Sequence, residues 1–516
     1  MNLIVPRLFL ACFAAASSGA SPGQAQSSGV WTYAQAAHLA ARAGFGAAPA
    51  QIQALVDMGR RAAVESLLNA SESGPPPAIE RLEPPDRMEL RAKSEDERQQ
   101  LRMERNQTEQ IQLQVLRRWW VRRMVESAAP LEEKMTLFWH GHFTSGAREV
   151  KSAYLLYRQN ELFRRHATGN FRDLLLAVSR DPAMLLYLNS AQNNKNHPNE
   201  NYARELMELF TLGIGHYTEQ DIRESARAFT GWSLDRGSGE FLFRPGMHDY
   251  GRKTFLGVTG NLNGDDVVDT ILAQPRTAEY LCQRLWVFFA SEEPPPGVVR
   301  SLATTLRKHR YEIKPVLRAM FSHPAFYSPR VMAAHVKSPV ELLVGTLRAL
   351  ETPSRDYDAM VLGLRQMGQD LFQPPNVKGW DGGLKWINAA TLYNRYNVAG
   401  RLIGGTEASA ALRGMMVGPK MRERAREMGV EPTPAQSAYD PMPVIRAAKL
   451  GSPVAVVDHF VLRLIGRPIA AERRDRLVKL LEESLSDPRR VDAASNAGAI
   501  RELLQVIVSM SEFQLS

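Results

Sequence analysis

Apolar residues recur along this chain mainly at three- and four-residue spacings, the pattern of helices that bury one side. The expected fold class is therefore all-α, a large multi-helix globular fold with long loops and a few short strands near Phe241 to Phe243 and Phe255 to Val258. The pattern is densest from Asn196 to Trp232. Pro198 suits a first turn, Glu200 follows His197 at capping-box spacing, and Gly213 can take the left-handed conformation that ends a helix. One helix is thus expected from Pro198 to Leu212. Its apolar side is Tyr202, Ala203, Leu206, Met207, Leu209 and Phe210; the other side is a polar stripe containing Glu200, Asn201, Arg204, Glu205 and Glu208. A second helix opens at the Thr218–Asp221 capping pair, buries Ile222, Ser225, Ala226, Phe229 and Trp232, and closes at Gly231. So short a connection makes a hairpin with His216 and Tyr217 at its corner.

Before this hairpin the chain reads as an N-terminal signal, a helical stretch from Thr32 to Leu68, a linker over Ser71 to Pro77, and a highly charged helix over Asp86 to Ser127. A helix from Pro130 follows, then others near Tyr154 to His166 and Asn170 to Val178. After the hairpin, helices are expected near Val267 to Leu272, Thr277 to Phe289, Val298 to Lys308, Pro315 to Phe321 and Pro339 to Ala349, then a loop rich in Pro, Gly and Trp from Gln373 to Asn388. The domain reading is a signal peptide at 1–25, a main helical domain at 30–405 with a charged helical insertion at 80–110, a linker at 406–450, and a C-terminal helical segment at 451–516 that packs on the main domain.

The signal reading rests on Arg7, a short apolar run and small residues before Ala20 and Ala25, and it places the mature chain in the periplasm or outside the cell. Cys12 faintly resembles a lipid-attachment site, but the apolar run before it is very short. No later run is long enough to cross a bilayer. Cys12 leaves with the signal, so Cys282 is expected as a small buried hydrophobe, and an internal disulfide or thiolate metal cluster is excluded. Lysine and arginine total 64 against 55 acidic residues, and the excess of +9 is spread along the chain. That balance leans weakly toward anionic surfaces or ligands, with no nucleic-acid module in view.

Candidate chemistry gathers around the hairpin. Glu205 sits at the edge of the polar stripe beside Leu209, where a carboxylate is partly buried and needs a partner. His140 and His142 in WHGHF point about 200° apart on a helix and share a ligand only if the helix ends at Gly141. His248 adjoins Asp249, with Lys253 as an anion contact. Glu205, His140 and His248 are the candidate catalytic groups; Glu205, Glu208, His142 and His197 are the candidate ligands of a divalent metal, the cofactor such donors would take. Asn199, Asn201, Arg204, Lys253 and Trp380 are the candidate substrate contacts. Competing readings are an ion ladder of Glu200, Arg204 and Glu208, hydrogen-bonded core histidines, asparagines serving turns, and Trp380 plugging the core. HExxH, GxSxG and phosphate-loop motifs are absent. A non-catalytic role, binding another secreted protein or an anionic envelope polymer, stands beside the catalytic one.

AARAGFGAAP, WHGHF, NENYARELMELFTLG with GHYT, ARAFTGW, MHDYGRKTFLG, PPNVKGWDGGLKWIN and RLIGRPIAAERRDRL together resemble, in order, the motifs of the bacterial family catalogued as domain of unknown function 1800. The resemblance covers nearly all of the mature chain and is poorest near 80–110 and 408–443. It implies export and brings no activity. It also implies a secreted partner from a family that looks like the sulfatase and phosphatase superfamily.

Overall fold

Many helices begin where a short polar side chain meets its own capping partner three residues on. Thr32 with Gln35, Ser94 with Glu97, Thr218 with Asp221, Asn263 with Asp266, Ser338 with Glu341 and Asn388 with Thr391 each close a reciprocal pair of hydrogen bonds. The computed structural model describes residues 30–83, 87–235, 237–352, 356–405, 419–430, 433–435 and 437–516. The expected signal peptide, with Cys12, lies outside them. Strands among the described residues are short, as expected of an all-α fold: Trp232–Leu234 pairs antiparallel with Phe241–Phe243, and Lys253–Phe255 with Val258–Gly260. No described helix is long and apolar enough to cross a membrane.

Several elements differ from the sequence pattern: the strand expected over Phe255 to Val258 is the turn and adjoining ends of the pair Lys253–Phe255 and Val258–Gly260, and the helices Pro182–Tyr187, Tyr357–Gln366 and Ala389–Gly404 are not marked by it. The charged helix expected over Asp86 to Ser127 is two helices, Arg87–Ala92 and Glu95–Glu126, because the Ser94 hydroxyl accepts from the Glu97 N–H and restarts the chain. The first half of the longer helix is largely exposed, while Ile111, Leu116, Trp120, Val121 and Met124 bury its second half. The stretch expected as a linker holds the helices Pro419–Glu427 and Met442–Ala447, the first packed on the long helix.

Apolar side chains form two cores. The first gathers helix Tyr33–Arg42, the hairpin and the helices from Gly264 to Ser322. The second joins the buried half of Glu95–Glu126 to Pro339–Leu350, Tyr357–Gln366, Ala389–Gly404 and the C-terminal helices Pro453–Ile465, Ala471–Ser484 and Ala497–Ser509. The C-terminal segment therefore completes a core that it shares with earlier residues. Helix Pro130–His142 reaches both, with Met135, Phe138 and Trp139 in the first and Leu137 in the second. Its length is buried, so its charged residues must be paired.

They are. Glu133 is fully buried and accepts from Arg164 Nε at 2.7 Å, Arg123 Nε at 2.8 Å and Trp120 Nε1 at 3.0 Å. Lys134, also fully buried, contacts Glu341, which takes a second bond from Arg42 Nη1 at 3.4 Å. Arg42 further donates to the carbonyls of Phe288 and Phe289 and to Ser516 Oγ, joining the first helix to the last residues. Burial by itself would raise the Glu133 carboxyl, but Arg164 and Arg123 outweigh it and hold it below the ordinary range.

Removing that carboxylate strands two guanidinium groups. Glu133→Gln is expected to lower the unfolding free energy by about 3–5 kcal/mol, read from urea denaturation followed by tryptophan fluorescence. Because the folded-state pKa is depressed, the native contribution is complete above the ordinary carboxylate range and fades as pH falls through it. The deficit of the variant should therefore shrink in acid.

Candidate functional site

The hairpin forms with one change that re-aims its acidic residues. Asn199, rather than His197, caps the first helix by accepting from the Asn201 N–H at 3.0 Å, so the helix begins at Glu200 and His197 is left exposed. The helix runs in α form only to Glu205. Leu206–Thr211 is a π-helical turn, in which the Leu212 N–H reaches back five residues to the Met207 carbonyl at 2.9 Å and the Thr211 hydroxyl closes on the Leu206 carbonyl. The turn then ends at Gly213, whose φ of 84° is the left-handed conformation that the sequence predicts there.

The wider turn breaks the expected ladder. Arg204 pairs across the hairpin with Glu219, through two bonds of 2.9 Å, and within its helix with Glu200 at 3.5 Å. Glu208 instead accepts from the Tyr217 hydroxyl at 2.9 Å. Glu205 is half-buried and accepts no hydrogen bond among the described residues. Burial first, and Glu208 second, raise its pKa, while Arg204 and Lys378 draw it part of the way back. The Tyr187 phenol lies within electrostatic reach of Glu149 and Glu205, and the Thr144 hydroxyl beside it partly offsets the rise that burial gives its pKa. Thr144 in turn donates to the Val377 carbonyl, which brings in the loop that carries Lys378. Thr144, Tyr187, Glu205, Glu208, Tyr217 and Lys378 thus converge from five stretches of the chain. Gly379 is what lets that loop settle on the end of helix Pro130–His142: its φ is 81°, and a Cβ there would stand 2.4 Å from the Gly141 carbonyl oxygen.

The histidines are placed elsewhere. Helix Pro130–His142 continues through Gly141, so the two rings diverge and cannot share a ligand. His140 accepts the Phe372 N–H on Nε2 at 3.1 Å and lies against Trp120 and Trp380. His142 donates from Nε2 to the Phe210 carbonyl at 3.0 Å. Burial pushes both rings down to about 3 from the ordinary 6.5, with Arg284 adding to the effect at His142. They are neutral core groups at physiological pH. Trp380 is half-buried in this stack, and Trp386 is buried.

His248, Asp249 and Lys253 form a closed knot. His248 Nδ1 donates to the Thr230 carbonyl at 2.7 Å, Asp249 takes Arg227 Nε at 2.7 Å, and Lys253 Nζ bonds the carbonyls of Asp249 and Gly251. The hydrogen bond from Arg227 holds Asp249 below its ordinary range. Lys253 spends its donors on backbone, which leaves it poorly placed to take an anion. Asn199 gives its amide to the Asn189 and Leu188 carbonyls, and Asn193 accepts the Asn199 N–H, so the asparagine-rich loop is held by turn bonds. Asn201 is exposed.

Of the sequence candidates, then, Glu205 and Glu208 share one place, and His140 meets Trp380 in another. Among the described residues, no three His, Cys, Asp or Glu side chains form a group that could hold a metal ion. Thr144, Glu149, Tyr187 and Lys378 are the members that periodicity does not mark. Thr144 directly follows WHGHF and Lys378 falls inside PPNVKGW, so only their motif context pointed toward them.

The model of the family described as protein of unknown function (DUF1800) matches residues 38–515. No curated protein and no solved structure matches the chain.

The buried neutral histidines make stability acid-sensitive. Below pH 6.5 the unfolded chain takes up protons that the folded chain refuses until about pH 3, so the stabilisation is complete above 6.5 and declines as pH falls. Each such ring adds a slope approaching about 1.4 kcal/mol per pH unit. In His140→Gln, whose side-chain carbonyl can still accept the Phe372 N–H, urea midpoints measured from pH 7 to pH 5 should fall less steeply than in the native protein.

Proposed function

The chain belongs to the DUF1800 family, and for this member we propose a metal-independent acid–base role, with Glu205 as the group that takes and returns a proton. The observation that carries the reading is the Glu205 carboxylate itself. It is half-buried, raised in pKa by burial and by the neighbouring Glu208, and free of hydrogen-bond donors among the described residues, while Arg204, which draws the pKa part of the way back, is committed to Glu219. A carboxyl group that holds its proton longer than usual, beside a second carboxylate with its own donor, is an arrangement suited to proton transfer. Glu208 is the partner whose charge favours protonation of Glu205, and Tyr217 positions Glu208. Tyr187 and Lys378 lie within electrostatic reach of Glu205 and would orient a polar substrate. The π-helical turn that separates the two carboxylates from the surface ladder is a geometry often found at functional sites.

The same reading places the protein outside the cytoplasm, on the Arg7, apolar-run and small-residue pattern of its first 25 residues. A second reading has one observation in its favour: the first half of helix Glu95–Glu126 is a largely exposed arm of mixed charge with Met103 at its surface, a surface on which a secreted partner could dock.

The discriminating experiment is a panel of chromogenic esters, phosphoesters and glycosides across pH 4–8, with and without chelator. The expected outcome is turnover that survives chelation and falls by about 10²–10⁴-fold in Glu205→Gln at an unchanged thermal midpoint. Tyr217→Phe should shift the pH profile and leave folding intact. Turnover that is equal in Glu205→Gln would remove Glu205 from the chemistry, and inertness toward every class would favour the partner-binding arm.

A further inference from the structure

A cavity well away from Glu205 carries positive charge that the protein does not neutralise. It opens among helix Tyr33–Arg42, helix Pro339–Leu350 and the last residues as a cleft with about 800 Å³ of empty space, open solvent at its mouth included. Ala34, Ala37 and Ala41 recur at helical spacing along one wall, and Phe513 and Leu515 add further apolar surface.

Lys337 and Glu341 line the same space. Glu341 is committed to Lys134, Arg42 and the Ser338 N–H. Lys337 is not committed to any carboxylate. Its Nζ stands 4.1 Å from the centre of the Phe513 ring and reaches no hydrogen-bond acceptor among the described residues. Its side chain keeps some exposure because it faces the cavity, yet protein surrounds the ammonium, and that burial brings it down to about 7. Arg467, also in the lining, has no ion pair or hydrogen bond among the described residues, whereas Arg463 is paired with Glu351. Behind the wall, Arg395 Nη1 and His335 Nδ1 are buried without partners. Arg42, Lys134, Lys337 and Arg395 all lie within electrostatic reach of Glu341. Four basic groups thus share one carboxylate, which leaves positive charge in excess at this end of the cavity. Buried charge of one sign without a counter-ion is unfavourable, and a bound anion offsets it.

We infer that this cavity binds a small organic anion, a carboxylate bearing an apolar chain, with its head group at Lys337 and its chain along the alanine wall. The walls select the chain. An inorganic oxyanion would find one unpartnered ammonium at Lys337 and would leave the apolar surfaces wetted, while a neutral alkyl compound would leave Lys337 as it is. The inference is independent of the acid–base role of Glu205, and the two sites share no residue.

The test is calorimetric titration and thermal unfolding of the full chain with octanoate, octanol and inorganic phosphate at pH 7. Octanoate is expected to bind and raise the unfolding midpoint, with octanol and phosphate weaker by about tenfold or more. Lys337→Met should weaken octanoate by about 10- to 100-fold, Lys337→Arg should retain it, and Ala41→Leu should block it sterically with every charge in place. Absence of octanoate binding, equal binding of octanol or phosphate, or full affinity in a folded Lys337→Met protein would overturn the assignment.

Discussion

Glu341 is the contact on which the architecture turns. A carboxylate taken wholly out of water is strongly unfavourable unless donors replace the lost hydration. Here the donors come from distant parts of the chain: Arg42 from the first described helix, Lys134 from the helix that reaches both cores, and the Ser338 N–H from its own capping turn. Arg42 then spends its remaining donors on Phe288, Phe289 and Ser516. The two apolar cores are non-directional and could slide past each other. The ionic contact cannot slide, because each of its bonds has a fixed length and direction.

The same helix, Pro130–His142, spreads this registration toward the hairpin. One of its faces carries Glu133 to Arg164 and Arg123; its end carries His140 and His142 to the Phe372 and Phe210 backbones and Thr144 to the loop beside Lys378. The turn that carries Glu208 is therefore tied to this helix through the Phe210 carbonyl. Residues set in this way have little rotamer freedom left, which is the physical effect of placing polar groups at the rim of a packed helical bundle.

The all-α class, several helix caps and the extended stretch Phe241–Phe243 were legible because they depend on local spacing and on short-range hydrogen bonds; the helices Tyr357–Gln366 and Ala389–Gly404 and the partner strand Trp232–Leu234 were not. The Thr218–Asp221 box and the left-handed Gly213 are where the pattern places them. The partial burial of Glu205 was also legible, since Leu209 lies beside it on the helical projection. Misreadings arose where a single residue altered register. Ser94 split one charged helix, Asn199 took the cap assigned to His197, and the π turn carried Glu208 away from Arg204 to Tyr217. The histidines of WHGHF were ambiguous because apolar neighbours suit a buried ligand and a buried core ring equally well. The ionic centre at Glu341 was hidden for a different reason: Arg42, Lys134 and Glu341 are far apart in sequence, and only tertiary packing brings their charges together.

The bond between Arg42 and Ser516 spans 474 residues. Contacts of such separation are late to form, because loop closure must be completed before they contribute. During synthesis at about 5–20 residues per second, helix Tyr33–Arg42 waits on the order of tens of seconds for its final partner. Arg42 lacks Glu341 until 299 further residues have been made and Ser516 until the end of the interval, and meanwhile the second core lacks its closing helices. The contact that fixes the two cores against each other is therefore formed late, after residues from opposite ends of the described chain have come together.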